Sequence, residues 1–129
     1  MTHSVVQPES LPDPRPRYSQ GIQTDGGRLL FIAGQTSVDK DNRIVGVGDI
    51  ERQTVQVFEN VGAVLRAAGA SFDNLVMTTT YLTDIKYREV YNRVRLQYYK
   101  NGCPTSTLVV VAGLANPDYL IEIDGIAVI

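Results

Sequence analysis

The sequence is poor in the residues that build metal centres and disulfide scaffolds. Among its 129 residues Cys103 is the only cysteine and His3 the only histidine, and there is no tryptophan. A lone cysteine excludes an intrachain disulfide and argues against a secreted, disulfide-stapled scaffold. One cysteine and one histidine, set far apart, leave almost nothing from which to build a zinc or other N/S-ligated site, so no metal is expected. No apolar run approaches the roughly 18 residues of a membrane span, and the N-terminus lacks the apolar core of a signal peptide. The expected location is therefore the cytoplasm, with no membrane partner. Excess charge of one sign is also missing, since 12 Lys and Arg against 14 Asp and Glu leave a net charge of −2. Local basic clustering is limited to Arg15 and Arg17, and Arg88, Arg93 and Arg95 are scattered further on; all read as solvated surface. A nucleic-acid partner calls for a basic stripe, and none is expected here.

What is present describes a small globular chain. A hydrophobic content of 43% against 20% charged residues is enough for a core and argues against disorder. The length fits a single domain over 1–129, with 1–17 an irregular lead-in because Pro8, Pro12, Pro14 and Pro16 withhold amide donors. A chain this short buries somewhat under about 70% of its unfolded surface, so association with copies of itself is a reasonable expectation.

The pattern along the chain predicts an α+β layer. Tyr18 to Thr24 and Arg28 to Thr36 read as two strands, and Asp25-Gly26-Gly27 between them reads as a hairpin turn. Asp49 is a candidate N-cap, and Phe58, Val61, Leu65 and Ala68 then recur at helical spacing, with Gly69 placed for a left-handed cap. Leu75 to Leu82 is a β-branched strand, and Asp84 to Tyr99 returns to helical spacing until Asn101-Gly102 and Pro104 end it. Thr107 to Val111 is a short apolar run, expected of a strand covered on both faces, and Tyr119 to Val128 is the last strand. The order β-β, α, β, α, β-β predicts two helices against one mixed β-sheet.

Several of these segments resemble the Rid (YjgF-like) family of reactive-intermediate deaminases. They are Tyr18-Ser19-Gln20-Gly21, Phe31-Ile32-Ala33-Gly34-Gln35, Asn60-Val61 with Leu65 and Ala68-Gly69, Thr80-Tyr81-Leu82-Thr83-Asp84, Tyr91-Asn92, and Ile121-Glu122-Ile123-Asp124-Gly125-Ile126-Ala127. The resemblance implies a chorismate-mutase-like subunit and a homotrimer with small-molecule clefts between subunits. It implies cofactor-free hydrolysis of small enamines or imines to a carbonyl compound and ammonia. In that cleft Tyr18 would close over the ligand or hold a water, and Gly34 would offer backbone groups. Asn92 would supply an amide, Ser106 and Thr107 hydroxyls, and Glu122 the carboxylate that orients or deprotonates the attacking water.

The chain departs from that pattern at one position. Where active deaminases of the family carry an arginine that grips the substrate carboxylate, Pro104-Thr105-Ser106-Thr107 places Ser106. A hydroxyl replaces neither the fork nor the charge of a guanidinium. Loss of a buried charge partner costs about 2–5 kcal/mol of binding, roughly thirty-fold to several thousand-fold in affinity. Either the ligand lacks that carboxylate or another cation takes over, with Arg17 the first candidate and Arg88 behind it. A binding protein of the same fold that has lost efficient chemistry is the alternative to an enzyme. Endoribonuclease activity, often attached to this family, is disfavoured by the charge balance and by the lack of a histidine acid/base pair.

Overall fold

The computed structural model describes residues 3–129. Its strands are β1 (His3–Val6), β2 (Gly21–Thr24), β3 (Leu29–Gln35), β4 (Leu75–Leu82), β5 (Thr105–Val110) and β6 (Ile121–Val128). The helices are α1 (Ile50–Ala67) and α2 (Arg88–Tyr98).

Four strands form one mixed sheet in the order β3-β6-β4-β5. β6 pairs antiparallel with both β3 and β4, whereas β4 and β5 run parallel. The parallel pair requires a crossover, and α2 supplies it. Along β6 the alternation is regular: Ile121, Ile123, Gly125 and Ala127 are buried, while Glu122, Asp124 and Ile126 face the other way and are half-buried. The buried side meets Val57, Phe58, Val61 and Leu65 of α1 and Tyr91 and Val94 of α2, so both helices cover one face. Phe58 anchors this layer, stacking on Tyr98 at 4.8 Å and on Tyr91 at 6.3 Å. The opposite face is open and apolar in its middle, where Phe31 and Met77 flank Ile126 and remain 69% and 46% exposed.

The caps of α1 follow from the sequence. Asp49 Oδ1 accepts from the Arg52 amide at 3.0 Å, and Gly69 adopts φ 76° just beyond the helix end. The predicted second helix is divided: Asp84 caps a 3-10 turn over Ile85–Tyr87, and α2 begins only at Arg88.

Three expectations are corrected. The lead-in contains a strand, because β1 pairs antiparallel with β2 from His3↔Thr24 to Val6↔Gly21. Pairing to β1 leaves β2 in a separate two-stranded sheet, so Asp25-Gly26-Gly27 is a connection between sheets and not a hairpin turn. Both glycines still take positive φ, 113° and 110°. Finally, β5 buries neither face fully and lies at the edge of the sheet, pairing with β4 along its length and touching Ser19 through a single parallel bridge at Thr105.

Candidate functional site

The side chains singled out from the sequence divide between the two faces of the sheet. Cross-strand partners share a face, and successive residues of a strand alternate. Glu122 is paired with Tyr81 and Ser106 with Thr78, an odd number of positions away along β4. Thr78 is buried under the helices, so Ser106 lies on the helix-covered side and Glu122 on the open side.

On the open side Glu122 packs over Gly34 of β3. A Cβ at position 34 would overlap Glu122 Oε2 and stand 2.8 Å from its Cδ and 3.1 Å from its Cγ. The missing side chain therefore gives the carboxylate its place. Beside it Asp124 accepts a hydrogen bond from the Tyr81 hydroxyl at 3.0 Å. Burial raises the pKa of Glu122 above its ordinary value of 4.5, and the neighbouring charge of Asp124 raises it further. No ion pair among the described residues includes Glu122. Such a carboxylate can take a proton from water, because no cation holds it in the ionised form. Thr107 is exposed on this same face, aligned through Thr79 with Asp124.

On the helix side a cleft of about 310 Å³ is lined by Arg17, Tyr18, Arg88, Arg95 and Ser106, with Ile85 and Leu108 as its apolar wall. Tyr18 is carried there by its neighbour. The Ser19 amide donates to the Pro104 carbonyl at 2.9 Å, and its hydroxyl to the Cys103 carbonyl at 2.6 Å, which ties this segment to the start of β5. Asn92 forms part of the same assembly, its Oδ1 accepting from Arg95 Nη2 at 2.5 Å.

Arg95 is the residue that reading from sequence missed. Taken as solvated surface, it is 4% exposed. Its Nη1 donates to the Tyr91 hydroxyl at 3.1 Å and to Ser106 Oγ at 3.4 Å. The guanidinium lies 4.5 Å from the Tyr91 ring centre and 5.9 Å from that of Tyr18. The available signal was spacing: Arg95 follows the core residue Tyr91 by one helical turn and shares its face.

The structure thus brings Arg17, Tyr18, Asn92 and Ser106 together, and places Gly34, Thr107 and Glu122 elsewhere. Arg88 joins the first group. Within one subunit the carboxylate and the arginine cleft are on opposite sides of the sheet.

An α+β subunit with two helices on one face of a mixed sheet, a carboxylate over a strand glycine and a cleft beside the parallel edge define a recognisable class. The model of the family described as Endoribonuclease L-PSP matches residues 8–129. A RutC family protein of Saccharolobus solfataricus is 43% identical over 124 residues, covering 95% of each chain. The crystal structure of YyfB, a Rid family protein of unknown function from Yersinia pestis, superposes with a TM-score of 0.93 at 31% identity over 100% of both chains. RidA from an Antarctic Psychrobacter gives 0.74 at 29% identity, covering 98% of this chain and 99% of its own. The chain belongs to the Rid (YjgF-like) family.

Among the described residues no helix is long and apolar enough to cross a membrane.

Proposed function

We propose that the chain is a single-domain, cytoplasmic, cofactor-free hydrolase that converts a small enamine or imine to a carbonyl compound and ammonia. Its site is a cleft between subunits of a homotrimer. The observation that carries the reading is Glu122, a half-buried carboxylate with a raised pKa and no ion-pair partner among the described residues, seated over a glycine whose missing side chain gives the carboxylate its place.

The chemistry needs little equipment. Glu122 accepts a proton from a water whose oxygen bonds to the C=N carbon as the C=N π pair moves to nitrogen, and the protonated Glu122 then gives that proton to the nitrogen, leaving a carbinolamine. In the collapse of that adduct Glu122 takes the hydroxyl proton and passes it to the amine nitrogen, the O–H pair forms the C=O bond, and the C–N bond breaks to release ammonia and the carbonyl product. Rate enhancement comes from positioning the water and from polar groups around the developing charge. Gly34 and Thr107 edge the Glu122 side; Tyr18, Arg17, Asn92 and Ser106 belong to the opposing wall.

The division of these residues between two sheet faces supports assembly. A second copy laid against the open face can oppose its own Tyr18–Ser106 cleft to Glu122, and it covers the exposed Phe31 and Met77. Three such contacts close a ring, as the family resemblance implies. The description Endoribonuclease L-PSP suggests RNA cleavage, but this chain supports it less well: its single histidine, His3, is exposed on β1.

The test is ammonia release from 2-imino acids generated in situ by amino-acid oxidases, with wild type compared against buffer and Glu122→Gln. Acceleration by wild type alone supports the reading. Equal rates in all three would instead favour a binding protein that keeps the fold and cleft without the chemistry.

A further inference from the structure

The buried face of α2 carries a charge that no carboxylate answers. Each group that accepts a hydrogen bond from Arg95 is neutral, namely Tyr91, Asn92 and Ser106, and its Nε has no partner among the described residues. The two rings beside it, Tyr18 and Tyr91, are neutral as well. A guanidinium does not shed its proton on burial as a lysine does, so the charge persists. Arg17 and Arg88 line the same cleft and are exposed at its rim. The ion pairs among the described residues join Asp13 to Arg15, Asp84 to Lys86 and Glu51 to Arg93, and leave Arg17, Arg88 and Arg95 out. Three cations and no acid thus face one cleft of about 310 Å³.

Ser106 is part of the arrangement. Its small side chain leaves space beside β5, and Arg95 Nη1 occupies it from α2, 3.4 Å from the hydroxyl. Asn92 and Tyr91 hold the planar group from two sides, and Nε is buried with no acceptor among the described residues. A fork held in this way is pre-organised for an oxyanion.

We propose that this cleft binds a dianionic small molecule, with Arg95 holding one anionic group at the bottom and Arg17 and Arg88 holding a second at the rim. Resting on the hydrolase reading, this makes the substrate the imine of an acid that carries a further carboxylate or phosphate. The same opening between neutral walls would take a monoanion without using the rim arginines, so selectivity between one charge and two is the property to measure.

The experiment is calorimetric titration of the purified, assembled protein with butyrate, glutarate, glutaramide and inorganic phosphate at low ionic strength. None of these probes contains a C=N bond, so the outcome is independent of whether the protein is a hydrolase. Glutarate is expected to bind roughly tenfold or more tighter than butyrate, weakening as salt is added, with glutaramide silent. Arg95→Met should abolish binding of both carboxylates, and Arg95→Lys should restore only part of it, because an ammonium lacks the fork. Arg17→Ala with Arg88→Ala should retain butyrate and lose the advantage of glutarate. Displacement of glutarate by phosphate supports the dianion site and identifies a phosphorylated acid as the preferred class; failure to displace identifies a dicarboxylate. Equal affinity for butyrate and glutarate in wild type would overturn the proposal. So would unchanged binding in an Arg95→Met protein that melts as wild type does.

Discussion

Gly34→Ala separates a structural role of the Glu122 region from a catalytic one. Gly34 is not among the glycines with positive φ, so alanine meets no backbone penalty. The new Cβ would occupy the place of Glu122 Oε2 and press on Cδ at 2.8 Å and Cγ at 3.1 Å. What it meets is the far end of a half-buried, flexible side chain, which can rotate toward the open face. A displaced rotamer costs about 0.5–1.5 kcal/mol. Removing a glycine from a strand interior returns about 0.5–1 kcal/mol. The two nearly cancel, and for a domain of this size the melting temperature should stay within about 4 °C of wild type. Activity should respond differently. A shift of about 1 Å in the proton-accepting oxygen costs on the order of a hundredfold in rate. Thermal melts paired with ammonia-release kinetics read both quantities. Activity within about threefold of wild type would refute the assignment of Glu122 as the base. A melting temperature lowered by more than about 10 °C would show instead that Gly34 is a packing residue.

Other outcomes follow from the same geometry. Because burial and Asp124 raise the pKa of Glu122, the acid limb of the kcat/KM profile should lie above pH 4.5, and Asp124→Asn should move it to lower pH. Folding holds the Glu122 proton more tightly than the unfolded chain does. Its contribution to stability is therefore present below the unfolded pKa and lost as pH rises through the higher folded value. If the proposed trimer forms through the exposed apolar face, Phe31→Lys places a charge in that contact and should leave subunits of 14.2 kDa, measured by light scattering. Ser106→Arg should lower both stability and ligand binding, because a second guanidinium would meet Arg95 Nη1, now 3.4 Å from the serine hydroxyl. A gain of binding in Ser106→Arg would contradict the placement of Arg95.

Much of the fold was legible because strong local signals agreed with the tertiary result. The β-branched run Leu75–Leu82 is bounded by turns and forms β4 with those same limits. Asp49 and Gly69 bracket α1 because each satisfies backbone groups that a helix end leaves free. What failed was pairing. Nothing local in His3–Val6 announces a strand, since all four residues are exposed and only β2 gives them partners. The apolar run before Gly113 reads as doubly covered, yet β5 lies at an edge with neither face fully buried; apolar content alone does not say whether both faces of a strand are covered.

The site was legible in part for a related reason. Ser106 and Thr107 are neighbours in sequence, and alternation sends them to opposite faces. Gly34 and Glu122 come together because β3 and β6 pair, which no local pattern shows. A cation on a helix is ordinarily solvated, so Arg95 was passed over, although its spacing from Tyr91 places it on the core-facing side. Arg17 and Arg88, chosen from sequence to replace the absent family arginine, reach the same cleft but remain at its rim.

The most direct test of the account is the Glu122→Gln protein in the ammonia-release assay with 2-imino acids, alongside its thermal melt. The account predicts loss of the acceleration over buffer. Because an amide removes a carboxylate whose raised pKa disfavours the fold at neutral pH, it also predicts a melting temperature equal to or above that of wild type. Acceleration undiminished in Glu122→Gln would contradict it.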